Sequence, residues 1–234
     1  QILKHLIEEY MNTAEAVGSE TLEKKFKIGA SPATIRNEMV RLTKLGFLKK
    51  PHTSAGRVPT PMGLKLYVNE LMKEQELSVA EEVAVKEKIW DYRNEFNKLI
   101  REATRSLATR TKNLALTATD KGDIYSAGTC NILEMPEFYD IDVTRNLLSL
   151  LDQSDYFTRL IEQFLDDEDI HVLVGDDLGA DVYANYGFVF SRFRVGDQGG
   201  VIGVLGPARL NYPYIIPTVR YFSDVIEEVA KNLR

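Results

Sequence analysis

The chain has 234 residues, of which 44% are hydrophobic and 27% charged, a composition typical of one or two globular domains and not of a fibrous or disordered protein. No apolar run reaches the roughly 18 residues that span a bilayer, the acidic, amphipathic start predicts no signal peptide, and the single cysteine, Cys130, excludes an internal disulfide, so we expect a cytoplasmic protein without a membrane partner. The net charge of −6 conceals a basic block, because residues 21–60 carry nine Lys or Arg and two Glu. This block favours a polyanionic partner near the N-terminus, although a solvated basic face would have the same charge.

The first 60 residues are predicted to form three short helices followed by a β-hairpin. The segment QILKHLIEEYMNT has helical apolar spacing, and a second helix, SETLEKKF, has Ser19 as its expected N-cap. A third helix begins at Ser31-Pro32, with the serine as N-cap and the proline in the first turn, and ends at Gly46. Two short strands, FLK and RVP, then flank the turn PHTSAG. This order is typical of a winged helix-turn-helix domain, which we assign to residues 1–75.

The third helix divides into two faces at 100° per residue. One face is apolar and is expected in the core, with Ile35, Met39, Leu42 and Leu45. The other face is small and polar near its start and basic toward its end, as suits a helix that enters the major groove, where Asn pairs with adenine and Arg with guanine or phosphate. In the hairpin turn, hydroxyl and basic side chains are expected to contact phosphates. The candidate DNA-binding residues are Ser31, Ala33, Thr34, Arg36, Asn37, Arg41, Lys44, His52, Thr53, Ser54 and Arg57.

A helical connector is predicted over residues 76–112, because the chain has neither Gly nor Pro between Val79 and Asn113. Its apolar residues alternate in steps of 4 and 3, as in the seam of a coiled coil: Val85, Ile89, Tyr92, Phe96, Leu99 and Ala103. Two interpretations remain open. The seam could form a dimer, or it could pack against the C-terminal domain of its own chain.

Residues 113–234 are predicted to form an α+β domain. The turn Asp120-Lys121-Gly122 favours a hairpin, helices are expected over 142–152 and 155–166, and strands over 170–175, 182–195 and 200–206. A final amphipathic helix is expected from about residue 213 to residue 233. Three aromatic residues of the long strand, Tyr183, Tyr186 and Phe188, either line a ligand pocket or fill the core of the sheet.

No motif of catalysis or metal binding stands out. The three histidines have no metal-ligand spacing, the acidic stretch near residues 166–177 does not match a calcium loop, and GDQGG lacks the lysine of a phosphate-binding loop. Cys130 has no histidine near it in sequence, and we expect it to be buried. We therefore predict a protein that is not an enzyme and that holds no cofactor or metal.

The segments SPATIRNEMVRL and PHTSAGRVPT, followed by GTCNILEMPEF and GVIGVLGPARLNYPYIIPTVRYF, resemble the family of the heat-inducible transcription repressor HrcA. The resemblance implies a dimeric winged-helix repressor with a GAF-like C-terminal domain. It further implies an inverted-repeat operator upstream of chaperone genes and the GroE chaperonin as a partner. Typical members are longer: here LALTATDKG leads almost directly to DIYSAGTCNILEMPEF, so part of the GAF-like sheet and an inserted subdomain are expected to be missing.

The predicted fold class is therefore α+β, with a winged-helix domain (1–75), a helical connector and possible dimer helix (76–112), and a GAF-like domain (113–234). The predicted function is sequence-specific repression of heat-shock genes through double-stranded DNA. The alternative is a regulator whose GAF-like domain senses a small ligand and whose winged helix is the output.

Overall fold

The computed structural model places the chain in two compact units. The first comprises residues 1–73 with 208–213, and the second comprises residues 74–207 with 214–234. The three-part division made from the sequence stays a prediction. Within these units the structure describes residues 1–53, 55–153, 156–157, 159, 162–163, 169–179 and 185–230.

The first unit has the predicted order of three helices followed by a two-stranded antiparallel sheet, with Leu48 opposite Pro59 and Lys49 opposite Val58. A short helix and a π-helical turn, Tyr67–Leu71, complete it. Leu6, Leu22 and Ile35 are fully buried and hold the helices together. The elements are α1 (Ile2–Thr13), α2 (Ser19–Phe26), α3 (Pro32–Lys44), β1 (Leu48–Lys49), β2 (Val58–Pro59) and α4 (Pro61–Leu66).

Two details of these helices differ from the sequence prediction. Ser19 is not the N-cap of α2; the cap is Gly18, and Ser19 is a buried first helical residue. Leu45 is 54% exposed and not in the core. The reason is that α3 ends at Lys44 and the chain turns at Gly46, where φ is +83°, so that Leu48, at 2% exposure, takes the core position.

The hairpin is tied to the segment before α2. The backbone groups of Val17 and Arg57 exchange two hydrogen bonds of 2.9 Å, which adds a one-residue bridge to the small sheet. Gly56 allows this approach, because a Cβ atom there would lie 2.3 Å from the carbonyl oxygen of Val17. The wing formed by residues 50–57 is therefore fixed at its base by the backbone itself.

The second unit begins with two helices, α5 (Val79–Trp90) and α6 (Phe96–Thr111). The predicted helical connector is divided into these two helices, because the chain turns between residues 91 and 95. Arg110 of α6 donates hydrogen bonds to the carbonyl oxygen and a carboxylate oxygen of Glu81 near the start of α5, so the two helices run antiparallel.

The apolar residues of the predicted seam lie inside this unit. Val85, Ile89, Leu99 and Ala103 are at most 3% exposed. Of the two alternatives, packing within the chain is therefore confirmed for these four residues, and the dimer seam over them is wrong. The exposed apolar residues of α5 are different ones, Val79, Val83 and Trp90 among them.

A five-stranded sheet, all antiparallel, forms the centre of the second unit, in the order β4-β3-β7-β6-β5. One face carries α6, through a hydrogen bond of 2.7 Å between Thr104 and Thr117, and the C-terminal helix, through one of 2.8 Å between Ser191 and Ser223. The elements are β3 (Leu114–Thr119), β4 (Ile124–Ala127), α7 (Thr129–Ile132), α8 (Ile141–Leu151), β5 (Ile170–Val174), β6 (Tyr186–Val195), β7 (Gln198–Pro207) and α9 (Tyr212–Val229).

The opposite face of the sheet is covered by an aromatic core. Tyr186 and Phe188 are fully buried there, with the Phe188 ring 6.0 Å from Phe157 and the Tyr186 ring 6.0 Å from Phe138. These two residues fill the sheet core; Tyr183 and most of the helix predicted over 155–166 lie outside the described residues. Cys130 is exposed, against expectation, because it lies in the short surface helix α7.

The α+β class predicted from the sequence is confirmed. Within the described ranges, no helix combines the length and the apolar character that crossing a membrane requires.

Candidate nucleic-acid interface

The first turn of α3 is fixed by its own cap. The Ser31 hydroxyl accepts a hydrogen bond of 3.2 Å from the Thr34 amide and lies 2.9 Å from the Thr34 hydroxyl. Pro32 follows in the first turn, where a missing N–H has no cost. Below this turn, Ile35 and Met39 are buried at 0% and 4% exposure and anchor the helix. The cap and the anchor together hold the opposite face of α3 toward solvent.

That face carries every α3 residue predicted to contact DNA. It is small at its start, with Ala33 and Thr34, and then presents an amide and basic groups. Arg41 is only loosely engaged, since its guanidinium is 3.8 Å from Glu38 and its side chain is 73% exposed. All of the following are exposed: Ser31, Ala33, Thr34, Arg36, Asn37, Arg41 and Lys44. The arrangement provides donors and acceptors on a helix that a groove of DNA can admit.

The wing presents a second set of predicted residues. His52 and Thr53 are exposed, and the Ala55 amide donates a 3.0 Å hydrogen bond to the His52 carbonyl oxygen, which closes the turn. The Lys50 ammonium contacts the carbonyl oxygen of Thr53 across the same turn. Ser54 lies outside the described residues. The tip of the wing thus places polar groups and a lysine at one surface.

Arg57 is held more firmly than the other predicted residues. Its Nε atom donates a 3.0 Å hydrogen bond to the Thr43 hydroxyl, and one Nη atom donates to the Gly56 carbonyl oxygen at 3.3 Å. The Thr43 hydroxyl in turn donates to the Met39 carbonyl oxygen at 2.8 Å. Arg57 therefore connects the base of the wing to the last turn of α3, and its second Nη atom carries two further N–H donors for a ligand.

A groove of about 370 Å³ lies between α3, the wing and the start of α2. Three cationic side chains, Arg36, Lys50 and Arg57, line it together with Gly18 and Ser19. No side chain caps this end of α2, so its first N–H groups and the positive end of the helix dipole are available to an anion. A phosphate group fits this combination of charge and donors.

The sequence prediction missed part of this groove. Lys50 and the start of α2 were not among the candidate residues, whereas Arg36 and Arg57 were. The adjacent Lys49-Lys50 pair in the basic block was the available signal for Lys50. Nothing in the sequence brings residues 18–19 beside residue 50, since this depends on the Val17–Arg57 bridge. The assignment of individual residues to DNA contacts stays a prediction.

Known proteins resemble this chain over almost its whole length. The family model for the HrcA protein C terminal domain matches residues 62–216. The chain is 27% identical to the heat-inducible transcription repressor HrcA of Desulforamulus reducens, over 99% of this chain and 97% of that protein, and 27% identical to the repressor of the same name from Chloroflexus aggregans, over 99% and 92%. It also resembles the crystal structure of a hypothetical protein, with a TM-score of 0.77 at 17% identity, over 98% of this chain and 97% of that one.

The length of the alignment shows that this chain lacks many positions of its relatives. The comparison with the D. reducens protein runs over 339 positions, and this chain has 234 residues, so at least 105 positions have no counterpart in it. The structural resemblance supports the fold, and the family model covers well over half of the chain. The chain belongs to the HrcA family.

Proposed function

We propose that this protein is a sequence-specific DNA-binding repressor of heat-shock genes that acts on an inverted-repeat operator. The observation that carries the proposal is the exposed polar face of α3 beside a groove lined by three cations. Relatives aligned over almost the whole chain are named heat-inducible transcription repressors, which supports the same role and a protein that is not an enzyme.

In this proposal α3 enters the major groove and reads bases. Ala33 and Thr34 are small enough to let the start of the helix approach base edges closely. Asn37 pairs with an adenine through its amide, and Arg36 or Arg41 pairs with a guanine or a phosphate. The His52 and Thr53 groups of the wing contact the sugar–phosphate backbone.

The groove between α3, the wing and α2 has a different task, which is to hold one phosphate. Lys50 and Arg36 supply charge, and the start of α2 supplies backbone N–H donors. Such contacts fix the register of the protein on the duplex without reading its sequence. The division of labour is therefore between a reading face on α3 and a positioning groove next to it.

The charge distribution supports this orientation. Residues 21–60 have an excess of seven positive charges, in a chain with a net charge of −6. The remainder of the chain is therefore strongly acidic and is repelled by DNA. Long-range electrostatic attraction to DNA therefore acts on the basic winged-helix surface and orients the protein as it approaches the duplex.

A homodimer is part of the proposal, because one winged helix reads only one half of a two-fold symmetric operator. Interaction with the GroE chaperonin is a further expectation that comes from the family resemblance. A ligand-sensing role is not proposed, since Tyr186 and Phe188 pack into the sheet core.

The proposal is tested by selecting bound duplexes from a random pool with the full chain. We expect enrichment of an inverted repeat. Asn37→Ala should then weaken binding to the selected duplex by about 1–3 kcal/mol and binding to the unselected pool very little. Asn12→Ala, at an exposed asparagine of α1, is the matched control and should change neither. A pool that shows no enrichment would refute sequence-specific binding. Equal losses of affinity for the selected duplex and the unselected pool would mean that Asn37 contacts the DNA backbone and not a base.

A further inference from the structure

The sheet of the second unit has an open edge at β4. This strand is last in the order and pairs with β3 alone. The Thr119 amide donates to the Asp123 carbonyl oxygen at 2.9 Å, and hydrogen-bonded pairs alternate along an antiparallel ladder. Tyr125 and Ala127 therefore bond to β3, while the N–H and C=O groups of Ile124 and Ser126 point away from it. In the part of the chain that the structure describes, no hydrogen bond reaches these outward groups.

The strand is short, but it lacks two of the usual protections of a sheet edge. Its sequence, Ile-Tyr-Ser-Ala, has no charge and no proline, which are the residues that ordinarily block pairing with another chain. Instead, α6 lies beside the strand and leaves a groove of about 280 Å³ between helix and edge. Residues 124–126 form one wall of the groove and α6 forms the other. An extended backbone has both space and hydrogen-bonding partners there.

The helical wall of the groove is basic. Arg101 and Arg105 are one helical turn apart and both line it. Arg105 is paired with Glu102 at 2.6 Å, whereas no carboxylate in the described ranges lies within ion-pair distance of Arg101. The Arg101 guanidinium lies 5.9 Å from the centre of the Tyr125 ring, above the strand. The groove therefore combines open backbone groups with an uncompensated positive charge.

We propose that β4 is the docking edge for an acidic, extended peptide of a partner protein, which adds to the sheet as a sixth strand. Backbone hydrogen bonds to Ile124 and Ser126 supply the pairing, and a carboxylate on the incoming strand meets Arg101. A second copy of this chain fits less well. Two-fold pairing of β4 with itself would bring the Arg101 guanidinium beside the edge toward its own copy, and like charges at close range repel. The proposal does not depend on DNA recognition.

The test compares two peptides of about seven residues, the length of an ordinary strand, on the full chain. One alternates threonine with glutamate, and the other alternates threonine with lysine. Amide NMR signals of Ile124 and Ser126 report contact at the edge. Ser126→Pro removes one outward N–H without touching the ladder to β3, and edge strands tolerate proline at such positions. Ser126→Ala keeps the N–H and is the matched control.

We expect the two amide signals to shift with the glutamate peptide and to stay in place with the lysine peptide. Ser126→Pro should abolish the binding that Ser126→Ala retains, and Arg101→Gln should weaken it about tenfold. Arg101→Glu, which leaves the backbone unchanged, should reverse the preference, so the result does not depend on how the proline variant folds. Signals that fail to move with the glutamate peptide, or that move equally with both peptides, would overturn the proposal. Concentration-dependent dimers that Ser126→Pro dissolves would assign the edge to a second copy and would also overturn it.

Discussion

Replacing Lys50 by glutamine tests the positioning groove most sharply. Lys50 lies on the wing and lines the groove with Arg36 and Arg57, opposite the uncapped start of α2. Its ammonium also contacts the Thr53 carbonyl oxygen, and a glutamine side chain likewise carries N–H donors. The substitution therefore removes one positive charge from the proposed phosphate site and keeps a hydrogen-bond donor on the side chain.

The expected magnitude follows from counterion release. Each phosphate neutralised on duplex DNA contributes about 0.9 to the slope of log affinity against log salt. If Lys50 neutralises one phosphate, the slope of Lys50→Gln is smaller by about 0.9 for each protomer bound. Between about 50 and 200 mM salt, this corresponds to a roughly 3.5-fold smaller loss of affinity for each site. Because phosphate contacts carry no sequence information, operator and random duplexes should be affected alike.

The assay is fluorescence anisotropy on labelled duplexes at several salt concentrations, with wild type and variant side by side. Lys24→Gln is the matched control, since it removes the same charge from the last turn of α2, outside the residues that line the groove. We expect the slope of the control to change much less than that of Lys50→Gln. An unchanged slope for Lys50→Gln, or equal changes for both lysines, would show that the groove holds no phosphate and that the charge acts only at long range.

Three further predictions concern the two units. Arg57→Gln and Thr43→Val should each lower the free energy of unfolding by about 1 kcal/mol in chemical denaturation. The double variant should lose less than the sum of the two, because both substitutions remove the same hydrogen bond. Fully additive losses would contradict the link between the wing and α3. Ser78→Ala should lower the free energy of unfolding by about 1 kcal/mol, since Ser78 and Glu81 form a capping box at the start of α5. The control Ser149→Ala, on the exposed side of α8, should lower it little. Equal losses for the two variants would contradict the capping role of Ser78. Burial raises the pKa of Asp224, as do the carboxylates of Glu227 and Asp169, while Arg220 lowers it. Protonated Asp224 therefore stabilises the fold fully at acidic pH, and this contribution is lost as pH rises through the raised pKa. Asp224→Asn should therefore raise the melting temperature at neutral pH, which corresponds to a gain of about a few tenths of a kcal/mol in the free energy of unfolding. A gain that persists at acidic pH would contradict this cause.

Local signals in the sequence were sufficient to predict α3 and its exposed face. Ser31-Pro32 and Gly46 mark the two ends of α3, and the period of 3.6 residues separates Ile35 and Met39 from the polar face. These signals act within a few residues of where they occur. The exposed residues of the candidate interface could therefore be predicted from the sequence.

Features set by packing could not be predicted in this way. The turn over residues 91–95 contains neither Gly nor Pro, and it allows α5 to pack antiparallel against α6, where Arg110 donates to the Glu81 carbonyl oxygen. Ser19 has the residue type of a cap but is buried, which leaves that position to Gly18. In both places tertiary contacts override the local preference.

The positioning groove combines three segments that are distant in the sequence. Gly18 and Ser19, the middle of α3, and residues 50–57 meet because Val17 pairs with Arg57. Gly56 has no local sign of this role, since its requirement arises from the carbonyl oxygen of Val17. The open edge at β4 likewise depends on the strand order, which no local motif in the sequence predicts.

The most direct test of the central claim is the affinity of the full chain for the selected inverted repeat and for a scrambled duplex of equal length, at a low and a high salt concentration. A sequence-specific DNA-binding protein keeps a large ratio of affinities for the two duplexes as salt rises, because contacts between α3 and the bases would release few counterions. We predict a ratio of at least about 10³, the lower end for specific DNA-binding proteins, at physiological salt. Affinities that stay equal for the two duplexes and fall together with salt would show a merely basic surface and would contradict the account.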